Sequence, residues 1–287
     1  MTTREHLNAE NYYTTGQLVS FPPQLPPPQE LQWKLPEAMH GQIHLSACEL
    51  SKIISKIAIR LLIFDDFGKG YVKKCKLSPD AFIQMAIQLA YYRLYQCCVL
   101  TYESASTRVF RHGRTETIRS CSKLSKKFVV AALDESVSKK DKITYLRQAT
   151  IHHSALTREA MRGEGIDRHL LGLRIVAGGL GMDPPKIFTD KAYQFPYTLS
   201  TSQTPMKQHF VGRNSVTDAY PSIGGGFAPV AQPGFGVSYF VCGEDKFLFH
   251  ISASIKESHG RTAEEECLRF EAALQTSLRD MHGLFQE

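Results

Sequence analysis

Several short stretches of this 287-residue chain gather residues that could bind an anion. Gly68-Lys69-Gly70-Tyr71-Val72-Lys73-Lys74-Cys75-Lys76 brings four lysines and two glycines up to Ser78-Pro79-Asp80. That tripeptide is a helix start, with Ser as N-cap, Pro at the first helical position and Asp in the first turn. Backbone N–H groups and the helix dipole favour an anion at such a place, and lysines are point charges suited to phosphate. A solvated basic loop has the same spacing. Thr101-Tyr102-Glu103-Ser104-Ala105-Ser106 closes an apolar strand and is followed by Arg108, Arg111, His112, Arg114, Thr115 and Arg119. Guanidiniums can hold a carboxylate or phosphate by paired hydrogen bonds, or be consumed in a salt-bridged loop. Arg168 stands beside Asp167 and near Glu164, either of which could pair with it. Ser200-Thr201-Ser202 offers three hydroxyls in a row, the composition of a capped turn. Gly224-Gly225-Gly226 has no helix start after it and makes a poor phosphate cradle. The chain has no GxSxG elbow, HExxH pair, P-loop or strand-linked GxGxxG.

The elements that must position these residues alternate between helix and strand. Residues 38–64 predict a helix followed by an apolar run at Ile57–Phe64. From Ser78 to about Tyr95 nearly every residue is apolar, which predicts a buried helix. CCVLTYES (97–104) predicts a buried strand, and helices are expected at 119–133, 140–163 and 167–180. Strands at 235–242 and 246–254 flank Gly243-Glu244-Asp245, a hairpin turn. A closing helix at 262–285 carries Cys267, Phe270, Leu274, Leu278, Met281 and Phe285 as one apolar stripe. Mixed helices and strands of this order predict an α/β fold with a mixed sheet.

Composition narrows the partners. The net charge of +6 suits small anions better than a nucleic acid, which calls for stronger, clustered basicity. Seven cysteines without a CxxC predict reduced thiols rather than a disulfide framework. No stretch reaches the ~18 apolar residues of a membrane helix, and the N-terminus shows no signal peptide. Six of the 14 prolines fall before residue 37, so residues 1–30 read as an extended tail or linker.

In this order, FGKGYVKKCKLSPDAFIQ (67–84), TYESAS (101–106), GRTETIRS (113–120), GIDRHLLGL (165–173), LSTSQ (199–203) and GGGFAPV (224–230) resemble the choline/carnitine acyltransferase family, and within it the carnitine palmitoyltransferase branch. LQWKLP (31–36) resembles the linker before that family's C-terminal half. The resemblance implies that residues 31–287 are that half, with a fold like chloramphenicol acetyltransferase: a mixed sheet flanked by helices. It implies a coenzyme A loop at Gly68, Lys69, Lys73, Lys74, Ser78 and Asp80. Glu103 and Ser106 would meet the pantetheine arm or its waters. Tyr102, Thr115 and Arg168 would hold the carnitine carboxylate. Ser200 and Ser202 match the family's Ser-Thr-Ser motif, with Ser202 on the oxyanion side. Gly225 matches the residue that gates the acyl tunnel, and a glycine there implies medium or long acyl chains. Coenzyme A or acyl-CoA would be a co-substrate, with no permanently bound cofactor and no metal. The setting implied is the mitochondrial outer membrane, on its cytosolic face.

The family's general base is the histidine of a His-x-x-x-Asp-Gly motif. None of the eleven histidines here begins one, and the chain has no Asp-Gly dipeptide. His112 and His169 fall inside binding motifs, and His152-His153 is expected on the surface of a helix. The expectation is therefore carnitine and coenzyme A sites without the base, with a partner supplying the N-terminal half. The alternative is a non-catalytic binding or interaction paralogue.

Overall fold

The computed structural model describes residues 29–204, 225–256 and 260–286, and two short strands before them. The chain divides into two compact units. One holds a two-residue pairing, β1 (Tyr13–Thr14) with β2 (Gln17–Leu18), and α1 (Glu37–Ile54), a helix with no buried residue. The other comprises Ser55–Pro205 and Gly225–Glu287 and carries all the predicted site residues. Other than the short strands and residues 29–30, the Pro-rich stretch at 1–30 lies outside the described residues.

The large unit is built on six strands: β3 (Ile57–Phe64), β4 (Thr101–Ser106), β5 (Thr115–Arg119), β6 (Leu199–Gln203), β7 (Gly234–Cys242) and β8 (Lys246–Ser254). Their order is β3-β8-β7-β6-β4-β5. β4, β6 and β7 run parallel, and the other neighbours are antiparallel, so the sheet is mixed. The helices are α2 (Lys69–Lys74), α3 (Pro79–Tyr95), α4 (Lys123–Leu133), α5 (Lys139–Met161), α6 (Asp167–Gly179), α7 (Lys186–Thr189) and α8 (Ala263–Gly283).

α3 begins as its sequence demands. Ser78 accepts a hydrogen bond from the Ala81 N–H, and Pro79 fills the first turn. Its residues from Ala81 to Tyr91 are all buried, so it is a core helix rather than an amphipathic one. α8 buries Cys267, Phe270, Leu274, Leu278 and Met281, the predicted stripe. Phe235, Tyr239, Phe249 and Phe64 from the sheet meet these helices in one core.

Three boundaries differ from the sequence expectation. The strand predicted at 97–104 runs from Thr101 to Ser106, because α3 closes on Gln96 in the left-handed conformation and Cys97-Cys98 belong to the exit from that cap. TETIR, expected in a loop, is strand β5, and the helix predicted from 119 begins at Lys123. LSTSQ, which fits a turn by composition, is strand β6.

Candidate active site

Strand alternation sorts the predicted residues onto two faces of the sheet. Register partners share a face, so Tyr102 lies with Ser200 and Arg119, and Ser106 with Thr115. Ser202 pairs with Ser238, which pairs with His250. This first face therefore carries Tyr102, Ser104, Thr115, Ser200, Ser202 and Ser238, a lawn of hydroxyls. Ser104 Oγ stands 3.4 Å from Ser202 Oγ across β4 and β6.

At the edge of this face, β5 holds the start of α6. Glu116 accepts from the Arg168 backbone N–H at 3.2 Å, placing a carboxylate at the helix N-terminus. Arg119 makes a two-bond pair with Asp167, at 2.8 and 3.0 Å. Asp167 is thus taken by Arg119, and Glu164 by Arg162. Arg168 is left to reach Thr115, donating from Nη2 to Oγ1 at 2.9 Å and from Nε to the carbonyl at 2.7 Å. The structure brings Arg168, Thr115 and the Tyr102 strand together, and neither of the local pairings suggested by the sequence for Arg168 is made.

The second face is covered by α3, α5 and α8, and there Asp80 and Glu103 belong to a buried polar chain. The Tyr239 hydroxyl donates to Asp80 Oδ1 at 2.6 Å. Gln84 Nε2 donates to the Tyr239 hydroxyl and to Thr201 Oγ1, both at 3.0 Å, and Thr201 donates to the Tyr102 carbonyl at 2.8 Å. The α3 N-terminus is in this way tied to the two strands that carry the hydroxyl pair. Glu103, 2% exposed, accepts from Ser120 Oγ at 2.5 Å and from His153 Nε2 at 2.6 Å.

Charge in this cluster is uneven. Burial pushes the Asp80 carboxyl up to about 6, and the Glu103 charge adds to this against the opposing pull of His153 and Tyr239. Burial works to lower His153, but the hydrogen bond and charge of Glu103, with Asp80 behind it, leave the imidazole raised. Donor atoms of Asp80, Glu103 and His153 lie within 4.8 Å of one another, the spacing of a metal ligand set. Their donors are engaged with one another and with Ser120 and Tyr239, which is the arrangement of an ion pair with hydrogen-bonded neighbours.

This corrects one expectation outright. His153 is 2% exposed, not a surface residue. A signal for it exists in the sequence: Leu146, Ala149, Thr150 and His153 follow the i, i+3, i+4, i+7 spacing, and all four are buried on α5. Glu103 faces the helices rather than an open cleft, so its side chain acts by holding Ser120 and His153. Ser106 is exposed at the end of β4, where its Oγ accepts from the Arg108 N–H at 3.5 Å.

The predicted anion loop is compact. Gly68 precedes α2, and a Cβ there would sit 2.5 Å from the backbone of residues 244–246, so the hairpin turn between β7 and β8 can be approached only by glycine. The Gly70 N–H donates to the Glu244 carbonyl at 2.9 Å, and Lys69 pairs with the Glu244 carboxylate at 3.0 Å. Lys73 and Lys74 are exposed in the last turn of α2. Beside them opens a cavity of about 180 Å³ lined by Lys76, Ser78, Arg147, Thr150, Ser154 and Arg158. The two arginines come from α5, too far along the chain for spacing to have joined them to the lysine loop.

Gly225 lies in open space, with nothing within 4 Å of an added Cβ among the described residues. Its neighbour Gly226 is the crowded one, since a Cβ there would meet His250 at 2.8 Å. Gly224 lies outside the described residues. His250 is half-buried and its imidazole is pushed down by burial.

Comparison with known proteins decides the family. Residues 4–276 match the model described as choline/carnitine O-acyltransferase. The chain belongs to that family. It is 41% identical over 276 residues to carnitine O-palmitoyltransferase 1, muscle isoform, of Rattus norvegicus, covering 96% of this chain and 35% of the relative. It is 39% identical over 263 residues to the liver isoform of Homo sapiens, covering 92% and 33%. It is 40% identical over 264 residues to carnitine O-acetyltransferase of Homo sapiens, covering 91% and 39%. The chain thus spans about a third of the length of the acyltransferases it matches. A solved PapA2 acyl transferase overlaps 77% of this chain and 44% of its own at 14% identity and a TM-score of 0.38. Within this member of the family, no helix among the described residues is long and apolar enough to cross a membrane.

Proposed function

We propose that this chain carries the carnitine and coenzyme A sites of a carnitine O-acyltransferase that moves medium or long acyl chains between coenzyme A and carnitine. The observation that carries this reading is the grouping on one sheet face: Arg168 fixed on Thr115, the Tyr102 strand beside them, and the Ser104–Ser202 hydroxyl pair. A trimethylammonium alcohol with a carboxylate is met there by one guanidinium and several hydroxyls. In this reading Tyr102, Thr115 and Arg168 hold the carboxylate. Ser200 and Ser202 line the reacting carbon, with Ser202 donating to the oxyanion that forms when the carnitine oxygen attacks the thioester. Such a donor is typically worth ~10²–10³ in rate.

Lys69, Lys73 and Lys74 would hold the phosphates of coenzyme A, with Gly68 allowing the loop its close approach and Ser78 and Asp80 near the adenosine end. Arg147 and Arg158 line the adjoining cavity, which supports a second anionic group there. Ser106 would meet the pantetheine arm, with Glu103 behind it as a positioning group. Gly225 leaves the acyl path open. No metal and no permanently bound cofactor enter this reading. Residues 31–287 correspond in it to the C-terminal half of the enzyme, after a Pro-rich linker, and the site of action is the cytosolic face of the mitochondrial outer membrane.

The base that takes the carnitine proton is not among these groups. His153 is sealed against Glu103, and His250 faces the hydroxyl lawn two strands away from Ser202. The base is proposed to come from a segment bearing His-x-x-x-Asp-Gly. A second reading, a non-catalytic coenzyme A and carnitine binder, rests on the same lack. Calorimetry with coenzyme A separates binding from chemistry: Lys73→Ala should weaken binding, and Glu244→Ala, which releases Lys69, should strengthen it. A thiol-release assay with palmitoyl-CoA and carnitine should show no turnover by the chain alone and turnover after a His-x-x-x-Asp-Gly segment of a relative is added. Binding without rescue would favour the non-catalytic reading, and equal coenzyme A binding by all variants would sink the site assignment.

A further inference from the structure

We propose that a groove between α4 and α5 binds a single-chain anionic amphiphile, with its charged head at Lys123, Lys126 and Lys127 and its alkyl tail along Val130, Val137 and Tyr145. The groove has a volume of about 430 Å³. That is the size of a small-molecule site, for which ~300–1,000 Å³ is usual. α4 packs on α3 and α5, so the groove belongs to the helical side of the large unit and not to the hydroxyl-bearing face of the sheet. The site owes nothing to the carnitine and coenzyme A assignments.

The sequence of α4 builds this face. Lys123, Lys126, Lys127, Val130, Ala131 and Asp134 recur at i, i+3, i+4, i+7, i+8 and i+11 along the helix and its cap, and all of them line the groove. Phe128 and Val129 are buried in the core instead. The lining is therefore basic over the first turns of α4 and apolar after them. Val137 from the turn and Tyr145 from α5 close the apolar part. Caps hold both walls in place, the Ser122–Ser125 box at α4 and Ser138 at α5. The Lys127 ammonium lies 4.0 Å from the centre of the Tyr145 ring, a cation–π contact where the basic and apolar stretches meet.

Charge selects the occupant. Among the described residues no carboxylate pairs with Lys123, Lys126 or Lys127, so three ammonium groups stand uncompensated at one end of the groove. The other end carries Asp134, whose carboxylate accepts from the Ser136 N–H and hydroxyl at 2.9 and 2.6 Å. The two ends are roughly 16 Å apart at the helical rise per residue. An acidic peptide lying along the groove would bring like charge against Asp134. A small anion alone would leave the apolar stretch wet. One anionic head and one apolar tail satisfy both ends. A fatty carboxylate and a monoalkyl phosphate share this chemistry, and the competition arms below separate them.

The test incubates the full chain with dodecanoate bearing a diazirine in its tail, below the micelle concentration, then irradiates it and maps the tryptic peptides. Crosslinks should fall on peptides 128–139 and 143–147, which hold Val130, Val137 and Tyr145. Unlabelled dodecanoate and dodecyl phosphate should both suppress them, and the one effective at lower concentration identifies the preferred head. Dodecanol, with the same tail and no charge, should need roughly tenfold more, because it lacks the charge-assisted contacts. Lys123→Gln with Lys126→Gln, and separately Val130→Gln, should each cut the yield by about threefold or more. Both should melt as the wild type does, since the two lysines and Val130, 40% accessible, are exposed. Crosslinks spread over other apolar faces and insensitive to these variants overturn the proposal, as does equal competition by dodecanol or no crosslink at all. Binding to phosphatidylserine vesicles, or self-association, that the double lysine variant abolishes while no crosslink forms on these peptides would assign the groove to a membrane surface or a second copy, and overturns it too.

Discussion

Glu103 Oε2 and His153 Nε2 lie 2.6 Å apart, on β4 and α5, with both side chains almost wholly withdrawn from water. Removing one partner of a buried pair strands the other, which typically costs ~3–5 kcal/mol. Glu103→Gln should therefore lower the melting temperature markedly while keeping the side chain's volume. It should also lower the His153 titration, because the hydrogen bond and charge of Glu103 are what raise it. A raised imidazole contributes stability fully below its ordinary range and loses it as pH rises through the raised value, so the wild-type chain weakens there and the variant should not. Imidazole NMR and melts across pH measure both effects. An unchanged His153 titration would mean that the pair carries no charge.

Asp80 works in the other direction from an ordinary ion-paired carboxylate. Its carboxyl is raised from 3.8 to about 6, so the folded chain holds a proton that the unfolded chain has released. The corresponding stability is fully present below about pH 4 and is lost as pH rises through about 6. A shift of roughly two units is worth on the order of 3 kcal/mol. Asp80→Asn keeps an oxygen for the Tyr239 hydroxyl and carries no charge. It should flatten the stability profile between pH 4 and 6 and raise the melting temperature at pH 7, while weakening coenzyme A binding if Asp80 serves the adenosine end. A variant that melts lower than wild type at pH 7 would contradict the burial account.

Arg168 offers a planar fork whose Nε and Nη2 both engage Thr115. Lysine cannot reproduce that geometry. Arg168→Lys should weaken carnitine binding at least tenfold, since a charge-assisted hydrogen bond is worth ~1.5–3 kcal/mol, with little change in the melt because the side chain is exposed. Thr115→Val should do so more mildly. Titration calorimetry with carnitine on the chain as it stands reads both, and unchanged affinity in Arg168→Lys would remove Arg168 from the site.

Gly68 is where the anion loop meets the hairpin between β7 and β8. Gly68→Ala forces a Cβ to within 2.5 Å of that backbone, and neither side is a flexible side-chain end that could yield. A clash of this kind costs typically 1–3 kcal/mol. The melting temperature should fall and coenzyme A affinity with it. Gly225→Ala, with nothing within 4 Å, should leave the melt unchanged.

The sequence exposes some of this site and hides the rest for identifiable reasons. Ser78-Pro79-Asp80 could be read directly because capping is local, and the α8 stripe because its period is unbroken over five turns. β5 escaped notice because Thr-Glu-Thr-Ile-Arg is mostly polar, and its buried Glu116 is satisfied by Arg168 of α6, 52 residues away. The β4 start is displaced because Cys97-Cys98-Val99-Leu100 is as apolar as a strand, although Gln96 in a left-handed cap keeps the chain from extending. The Asp80–Tyr239–Gln84–Thr201 chain joins residues up to 159 positions apart, and no local pattern announces such a link. The faces of β4 and β6 follow from period-two alternation only after their pairing is known, which is why Glu103 could be singled out but not assigned to the buried side.

Among the described residues β3 closes one edge of the sheet, with only β8 beside it. Its inward residues Leu62 and Phe64 are buried, while Ile59 and Ile63 are 55% and 54% exposed on the hydroxyl-bearing face. An eight-residue edge strand with β-branched side chains turned to water and, among the described residues, one row of backbone groups without a strand partner is a template for pairing with another chain. Arg60 does not block it, since its guanidinium is drawn to Glu264 and Glu271 of α8 on the opposite face. The purified chain should therefore self-associate, more so at high salt where the net charge of +6 no longer keeps copies apart. Ile59→Lys with Ile63→Lys places charge on the exposed positions and leaves the buried ones intact. Light scattering after size exclusion should show larger species for the wild-type chain and a monomer for the double variant, with equal melting temperatures. A wild-type chain that elutes as a clean monomer at every salt concentration would show that the edge is already covered.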